Sequence, residues 1–259
     1  MMTKATEFKL FDGKLPLLQP ESGFRTSMDA VFLAACVPEA LFAEKQILDL
    51  GCGIGTIGFC LLSRFSCHIT GYDIQPEMIA LAEENARRNN FTDKTRFVLR
   101  DLREKAKTET AEYYDAVISN PPYMEDGRGT PSAAANRNIS HYETMPFAAW
   151  ARVAALHLKR GGYFFFVHRA DRLDGLLGDL RSAGFGSFTV LPMYTLAERP
   201  AKRVIIAARK DKAAPLVLRP GLVIQDGDAY TETARRVLYE TAAFDFFPDE
   251  YKKQEQTKP

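Results

Sequence analysis

The residues best suited to chemistry lie in the first half of the chain, in a glycine cluster, two later acids and one proline-rich run. The cluster occupies residues 49–55 (DLGCGIG), where a short apolar run meets a helix-like stretch. Glycines let the backbone turn sharply and come close to a ligand. Asp73 follows at the end of a second predicted strand, and its carboxylate can accept both hydrogen bonds from a ribose diol. Together these residues indicate a site for a ligand that contains a nucleoside.

Two classes of cofactor fit this pattern. Residues 53–58 match G-x-G-x-x-G, which is typical of dinucleotide-binding turns, so the glycines alone do not separate a nicotinamide cofactor from S-adenosylmethionine. Asp49 favours S-adenosylmethionine, because a carboxylate attracts the ammonium group of its methionine end and repels a pyrophosphate. Asp101, which with Leu102 closes a third predicted strand, can accept a hydrogen bond from an adenine amino group. Helix capping or strand termination is the alternative role for Asp73 and Asp101.

The N-P-P-Y run of residues 120–123 directly follows a fourth predicted strand. Its two prolines hold an extended loop and leave carbonyl groups available as acceptors. The side-chain oxygen of Asn120 and the carbonyl of Pro121 can together accept both hydrogens of a planar amino group. That arrangement favours a pyramidal nitrogen whose lone pair attacks a sulfonium methyl group, while Tyr123 offers a flat face to a base or an amide. A proline-rich turn without a chemical role is the alternative.

An alternation of strand-like and helix-like stretches must position these residues. It runs from about Gln46 to Arg209 and predicts an α/β fold, a mostly parallel sheet with helices on both faces. Ligands of such sheets bind beyond the carboxyl ends of the strands, where the acids and glycines fall. The predicted strands are residues 47–50, 68–73, 95–99, 114–119, 163–168, 187–191 and 203–208, and the predicted helices are residues 56–63, 76–89, 145–158 and 170–183. We expect Gly161 and Gly162 to break the third helix.

Composition excludes several other classes of protein. The chain has 259 residues, of which 46% are apolar and 26% charged, as in ordinary globular proteins. Its 34 Lys and Arg residues against 33 Asp and Glu residues give a net charge of +1, which argues against a generally basic nucleic-acid binder but allows a local patch. None of the four cysteines forms a C-x-x-C pair, so we expect no metal site and no disulfide framework. The N-terminus has no signal-like apolar segment, and we expect a cytoplasmic protein without membrane spans.

We expect one domain made of three parts. Residues 1–45 precede the glycine cluster, residues 46–212 carry the alternating core, and residues 213–259 form an extension with a polar tail. Residues 124–143 are a polar stretch between the fourth strand and the next helix. A loop of this length is usually functional or disordered, and this one would lie next to the N-P-P-Y run.

With these motifs in place, the chain resembles class I S-adenosylmethionine-dependent methyltransferases of the N-P-P-Y group, which methylate amino nitrogens. The resemblance implies a Rossmann-like sheet of seven strands. It also implies that the glycine motif and the acids hold the cofactor and that the N-P-P-Y loop is catalytic. The cofactor-binding residues so implied are Asp49, Gly51, Gly53, Gly55, Asp73, Asp101, Leu102 and Asn120, and the catalytic residues are Asn120, Pro121 and Tyr123.

A narrower resemblance covers more of the chain. The bacterial enzymes that N6-methylate an adenosine beside the anticodon of a valine tRNA have segments similar to residues 25–33 (RTSMDAVFL), 203–206 (RVII), 215–218 and 230–231. In that family the N-terminal segment closes over the cofactor, which implies cofactor-binding roles for Arg25 and Asp29. The alternative for this segment is an amphipathic helix capped by Ser27.

The methyl acceptor is predicted from weaker signals. Residues 199–212 hold six basic side chains and one acid, which could contact RNA phosphates or simply face water. Arg128, Arg137 and His141 follow the catalytic run and could touch an RNA backbone. We therefore expect a tRNA adenine as the acceptor. The alternatives are ribosomal RNA, the glutamine side chain of a release factor (whose enzymes carry an additional N-terminal domain, for which the segment before residue 46 is short), and a nicotinamide enzyme or non-catalytic scaffold.

Overall fold

The computed structural model of the protein describes residues 4–22, 26–104, 113–123 and 145–247. Predicted residues outside these ranges are Arg25, Arg128, Arg137 and His141, the stretch 124–143, and the polar tail. The strands are β1 (Ala5–Leu10), β2 (Leu15–Pro20), β3 (Gln46–Leu50), β4 (His68–Asp73), β5 (Thr95–Leu99), β6 (Tyr114–Ser119), β7 (Leu158–Arg169), β8 (Phe185–Tyr194), β9 (Arg203–Lys210), β10 (Val217–Leu218), β11 (Leu222–Val223), β12 (Gln225–Asp226) and β13 (Ala229–Tyr230). The helices are α1 (Met28–Ala35), α2 (Glu39–Phe42), α3 (Thr56–Leu62), α4 (Pro76–Arg88), α5 (Phe147–His157), α6 (Leu173–Ser182) and α7 (Glu232–Glu240).

A nine-stranded sheet forms the centre of the fold. Its strand order is β10-β8-β9-β7-β6-β3-β4-β5, with β11 also beside β8. The strands from β3 to β7 run parallel to their neighbours, while β9 is antiparallel to both β7 and β8. β10 and β11 are two-residue additions at one edge. The remaining strands are the predicted Rossmann-like, mostly parallel sheet, so the predicted fold class is confirmed.

Apolar side chains bury both faces of this sheet. In the run Phe164-Phe165-Phe166 of β7, Phe165 belongs to one buried cluster and its two neighbours belong to another. A central strand with helices on both faces requires this alternation. The first cluster also contains Phe11 from the N-terminal segment and Phe246 from the C-terminal extension. Both flanking segments therefore share the interior of the core.

The prediction that Gly161 and Gly162 break a helix is wrong. α5 ends at His157, and β7 begins at the next residue and runs through both glycines. The two glycines lie at an irregularity of this strand. The register of β7 against β6 shifts between Tyr114 and Ala116, and Gly161 has a φ of +77°. The glycines therefore bend a strand instead of separating it from the helix.

An antiparallel hairpin of β1 and β2 precedes the sheet and was not predicted. Asn85 of α4 holds it in place: its side-chain oxygen accepts from the Leu18 N–H at 2.7 Å, and its amide donates to the Leu18 carbonyl at 3.0 Å. The same amide nitrogen lies 3.2 Å from the carbonyl oxygen of Ile54, in the glycine cluster. One buried side chain thus joins the hairpin to the candidate cofactor site.

Helix α1, which follows the hairpin, is buried from Ala30 to Ala35. The amphipathic alternative for this segment is therefore wrong, because the helix lies inside the fold with only its first turn near the surface. Ser27 occupies the N-cap position, but its side chain makes no capping hydrogen bond within the described chain. The predicted helix of residues 170–183 also differs, since it starts as a 3-10 turn and is α-helical only from Leu173.

Three further expectations concern disulfide bonds, metal sites and membrane-spanning helices. All four cysteines are buried and carry free thiols, so they serve as small core residues. In the ranges given above, no group of His, Cys, Asp and Glu side chains could hold a metal ion. No helix in those ranges has the length and apolar character needed to cross a membrane.

Candidate active site

Three adjacent strands bring the candidate residues to one edge of the sheet. Leu50 of β3 pairs with Tyr72 of β4 and with Ser119 of β6. The Ser119 hydroxyl also donates to the Leu50 carbonyl at 2.8 Å, which ties two strand ends together. The residues that follow these three are Gly51, Asp73 and Asn120. The parallel strands therefore end with the cofactor candidates and the catalytic loop side by side.

Left-handed glycines shape the turn after β3. Gly51, Gly53 and Gly55 have φ values of +70°, +54° and +86°, a region that favours glycine. A side chain on Gly51 would come within 2.8 Å of the Trp150 ring, whereas no described atom lies within 4 Å of the Cβ position of Gly53. The turn is therefore packed at Gly51 and open at Gly53. We call this turn, residues 51–55, the cradle, because its open side leaves space for a ligand.

Asp73 anchors this turn from the neighbouring strand. Its two carboxylate oxygens accept hydrogen bonds from the Gly53 N–H at 2.8 Å and from the Gln75 N–H at 2.9 Å. Burial raises the pKa of the Asp73 carboxyl, and these backbone hydrogen bonds oppose the rise. Because each carboxylate oxygen has two lone pairs, both oxygens can accept a further donor such as a ribose hydroxyl.

Asp49 is the most unusual group at this edge. It is fully buried in β3, and no described donor reaches either of its carboxylate oxygens. Burial raises its pKa to about 8, and the charge of Asp73 adds to the rise. A buried carboxylate without a partner is costly to a fold. A ligand with an ammonium group would satisfy it, so the cradle fits the methionine end of S-adenosylmethionine.

Asp101 lies two residues beyond the end of β5 and is held by Arg103. Arg103 donates through Nε and Nη2 to the two carboxylate oxygens, at 3.0 and 2.7 Å. This ion pair lowers the pKa of the Asp101 carboxyl. Leu102, between them, packs against the same buried cluster as Trp150. An adenine amino group that binds Asp101 would have to share the carboxylate with Arg103.

Side chains from distant parts of the chain hold the N-P-P-Y loop. The Tyr123 hydroxyl lies 2.7 Å from Asn120 Oδ1 and 3.1 Å from Asp29 Oδ2. Arg203 donates through Nε to the same Asp29 oxygen at 3.1 Å, and its guanidinium carbon lies 4.7 Å from the centre of the Tyr123 ring. The His168 ring meets Tyr123 edge-on, with the ring centres 5.1 Å apart. Asp29, expected on the cofactor, thus contacts Tyr123 of the N-P-P-Y loop.

Sequence reasoning did not identify Trp150 or His168 as site residues, and it named Arg203 only within the basic stretch 199–212 and the segment 203–206. Trp150 of α5 lies against Gly51, and the other two contact Tyr123. No spacing connects them with the glycine or N-P-P-Y motifs, because only the strand order of the sheet brings them there. A usable signal exists for His168, a histidine that ends the apolar run of β7.

The basic stretch of residues 199–212 does not form one surface. β9 begins at Arg203, which pairs with Arg169 at the carboxyl end of β7, so this end lies at the edge that carries the site. At the other end, the side chains of Arg209 and Lys210 donate to backbone carbonyls. A strand rises about 3.3 Å per residue, so the two ends are about 20 Å apart. The basic side chains therefore lie at the two ends of β9, and the contact of residues 199–212 with RNA stays a prediction.

Comparison with known proteins identifies the class to which this fold and site belong. The sequence matches the methyltransferase small domain family over residues 27–174, more than half of the chain, and the protein belongs to this family. It is an S-adenosylmethionine-dependent methyltransferase. The predicted resemblance, transferase activity and cofactor are therefore confirmed.

One relative and two solved structures show which proteins this chain is similar to. The tRNA1(Val) (adenine(37)-N6)-methyltransferase of Dickeya chrysanthemi is 28% identical over 211 residues, which cover 79% of this chain and 81% of that protein. The solved structure of a predicted O-methyltransferase from Agrobacterium tumefaciens gives a TM-score of 0.68 at 23% identity, over 84% of this chain and 98% of that one. The 16S rRNA N2 G1207 methyltransferase of T. thermophilus, solved with AdoMet and guanosine, gives a TM-score of 0.56 at 19% identity, over 81% of this chain and 51% of that one. Both structures support the fold.

Proposed function

We propose that the protein transfers a methyl group from S-adenosylmethionine to an exocyclic amino nitrogen, the N6 of an adenine in tRNA. One observation carries this proposal: Gly51 and Asn120 directly follow the paired residues Leu50 and Ser119. The cofactor cradle and the amide of the catalytic loop are therefore neighbours at one sheet edge. An amino group held by Asn120 would lie beside the cofactor that the glycine turn holds.

Four groups of this chain would hold the cofactor. Asp49 takes the ammonium group, the turn of residues 51–55 lies along the methionine part, Asp73 accepts from the ribose diol, and Asp101 with Leu102 meets the adenine. When bound, S-adenosylmethionine supplies an electrophilic methyl group on a sulfonium centre. An ammonium group beside Asp49 offsets the burial that raises the pKa of this carboxyl, so the acid ionises in the complex.

Asn120 and Pro121 would hold the acceptor. Their two oxygens accept the two amino hydrogens, which turns the nitrogen lone pair out of the plane of the base. Because the proton leaves readily once nitrogen carries the methyl group, the chain needs no strong general base, and its contribution is orientation and electrostatics. Arg203 covers one face of Tyr123, so the base stacks on the other.

The acceptor class rests on the relatives and on the surroundings of the loop. The Dickeya chrysanthemi relative is named for adenine 37 of tRNA1(Val). An anticodon loop is single-stranded, so an adenine there enters a pocket without the cost of opening a duplex. Arg199 and Lys202 are exposed just before Arg203, at the site edge, where they can meet phosphates.

Transfer of labelled methyl from S-adenosylmethionine tests this proposal. Separate reactions would contain unmodified tRNA, ribosomal RNA, DNA or release factor, with Asn120→Ala as the matched inactive variant. We expect label in tRNA that digests to N6-methyladenosine. A tRNA(Val) transcript with guanosine in place of adenosine 37 should accept no label if that position is the target.

Results with the acceptors other than tRNA could contradict the proposed function. Label confined to ribosomal RNA or to release factor would replace tRNA as the acceptor while leaving the amino-nitrogen chemistry intact. Label in no pool, with S-adenosylhomocysteine still bound, would remove all of these acceptors.

A further inference from the structure

An ion pair between two distant segments of the chain holds Tyr123 of the N-P-P-Y loop. Asp29 and Arg203 are 174 positions apart in the chain, yet Arg203 Nε donates to Asp29 Oδ2 at 3.1 Å. Their side chains are 18% and 33% exposed, so the pair is largely removed from water. Both residues also contact Tyr123, through its hydroxyl and through its ring face. The pair therefore encloses the side chain that lies against Asn120.

The hydroxyl of Tyr123 has a single proton for two neighbouring acceptors. Asn120 Oδ1 lies 2.7 Å away and Asp29 Oδ2 lies 3.1 Å away. Burial raises the pKa of Tyr123, so the hydroxyl keeps this proton; the charge of Asp29 adds to the rise and that of Arg203 opposes it. The contacts among these side chains are compatible if Arg203 donates to Asp29 and Tyr123 donates to Asn120.

We propose that Asp29 and Arg203 are positioning residues that act through Tyr123. Arg203 offsets the charge of Asp29 and so weakens this carboxylate as a competing acceptor, and the shorter distance of 2.7 Å then favours the Tyr123 proton on Asn120 Oδ1. That hydrogen bond selects the orientation of the carboxamide, because only its oxygen can accept from a hydroxyl. The second lone pair of the same oxygen is left for the amino group of the acceptor. This inference rests on the proposed function, since it assigns the amide the task of receiving that amino group.

A double-mutant cycle on transfer kinetics tests the inference. In the wild-type background, Asp29→Asn and Arg203→Gln should each lower kcat about 10-fold, the scale of coupling between residues in contact. The KM for S-adenosylmethionine should stay within about 2-fold, because this proposal places the action of both residues on the N-P-P-Y loop and not on the cofactor. In a Tyr123→Phe background, which lacks the hydroxyl, the same substitutions should change kcat by less than about 2-fold. Arg87→Gln, which removes an exposed charge in the last turn of α4, serves as the matched control and should leave kcat unchanged.

Two kinetic outcomes would overturn the inference. Equal losses of kcat in the wild-type and Tyr123→Phe backgrounds would show that the ion pair does not act through the hydroxyl. A rise in the dissociation constant of S-adenosylhomocysteine in Asp29→Asn, with kcat unchanged, would make Asp29 a cofactor ligand instead.

Thermal unfolding separates failure of this inference from failure of the proposed function. If wild-type protein labels no acceptor, the proposed function fails, but the shifts in Tm of Asp29→Asn, Tyr123→Phe and the double variant can still be compared. Non-additive shifts would support the Asp29–Tyr123 coupling, whereas additive shifts would contradict it. Asp29→Asn is nearly isosteric, so the cycle stands even if Arg203→Gln does not fold.

Discussion

The proposed site has two halves that are built in different ways. The cofactor half consists of residues 49–55 and Asp73, and the acceptor half consists of residues 120–123 with Asp29 and Arg203. In the cofactor half, the glycine turn and Asp73 are joined by backbone hydrogen bonds, such as that from the Gly53 N–H at 2.8 Å. In the acceptor half, side chains hold one another, and Tyr123 depends on Asp29, 94 positions earlier, and on Arg203. A backbone-built cradle is formed before its ligand arrives, whereas a side-chain network can rearrange around an acceptor. We therefore expect the first half to serve cofactor binding and the second half to serve the choice of acceptor.

The two halves also differ in charge. Asp49 and Asp73 are both buried, the charge of Asp73 disfavours ionisation of Asp49, and no described donor reaches the Asp49 carboxylate. The acceptor half is balanced, because Asp29 pairs with Arg203. The cofactor half is therefore complementary to a cationic ligand such as S-adenosylmethionine, and the acceptor half to a neutral base.

Asn120→Ala should have the largest effect and should fall on the acceptor half alone. We expect a loss on the order of 100-fold or more in transfer rate, as when one oriented transition-state partner is removed. Cofactor affinity should be retained, since the glycine turn and its acids are untouched. Single-turnover kinetics measure the rate. The fluorescence of Trp150, the one tryptophan of the chain, measures binding, because its ring lies against Gly51.

Asp73→Ala is the matching change in the cofactor half. It removes the acceptor of the Gly53 N–H, so we expect cofactor affinity to fall by about 10-fold or more, as for other hydrogen bonds to a charged group. At saturating cofactor the transfer rate should recover most of its wild-type value. Equal losses of affinity in the Asn120 and Asp73 variants would contradict the division of the site into two halves.

This division also explains what the sequence could predict. The residues of the cofactor half lie close together in the chain, and their spacing follows from a strand, a turn and the next strand, so Asp49, Gly51, Gly53 and Asp73 could be predicted as one group, and their cofactor-binding roles stay predictions. Asp29 was predicted on the cofactor, but the contacts of Asp29 and Arg203 with Tyr123 were not predicted, because they arise only through the pairing of β9 with β7 and the burial of α1. Asp101 was identified, but its ion pair with Arg103 was not.

The fold shows the same limit. Short apolar runs that alternate with helix-like stretches predicted each strand of the parallel core, because strands buried on both faces have continuous apolar sequences. The hairpin of β1 and β2 has no such run, since its first strand alternates between exposed and half-buried residues. Gly161 and Gly162 were assigned to a helix end because a glycine pair breaks helices, but the same pair fits an irregularity in a strand.

Asp49→Asn should show whether the Asp49 carboxyl releases its proton when the cofactor binds. Because the free protein has a carboxyl with a pKa of about 8, binding an ammonium group at pH 6.5 requires that carboxyl to release its proton. Calorimetry with S-adenosylhomocysteine in two buffers of different ionisation enthalpy should show release of about one proton by wild type. The variant should release much less and bind about 10-fold more weakly. Equal proton release by both proteins would assign the ionisation to another group.

The same substitution should change the pH dependence of stability in the cofactor-free protein. The folded-state pKa of Asp49 is raised, so its stabilising effect is fully present below the ordinary value of 3.8 and is lost as pH rises through about 8. The slope for one such group is at most about 1.4 kcal/mol per pH unit. Urea unfolding at pH 5 and pH 8.5 should therefore show a smaller loss in Asp49→Asn than in wild type, with Asp73 giving the remaining slope. A loss as large in the variant would contradict the assignment.

Two glycine substitutions in the turn of residues 51–55 distinguish the side that packs against the protein from the side that faces the ligand. Gly51→Ala places a methyl group 2.8 Å from the Trp150 ring, so we expect about 1–3 kcal/mol lower stability from overpacking. Gly53→Ala meets no described atom within 4 Å, so its cost should be about 1 kcal/mol, from the positive φ alone. Urea unfolding gives both values. If Gly53→Ala lowers cofactor affinity more than Gly51→Ala at equal folded fraction, the open side of the turn faces the ligand.

Charge reversals at the two ends of β9 should give the smallest effect and test the acceptor half at its rim. Lys202 is exposed at the end that carries the site, and Lys212 is exposed just beyond the other end. If tRNA lies across the site edge, Lys202→Glu should weaken tRNA binding several-fold and lower its salt dependence by about one ion, as for a single phosphate contact. Lys212→Glu has the same change in net charge and should bind tRNA like wild type. Equal weakening by both would mean that tRNA responds to the total charge of the chain, and the rim of the site would then have no part in choosing the acceptor.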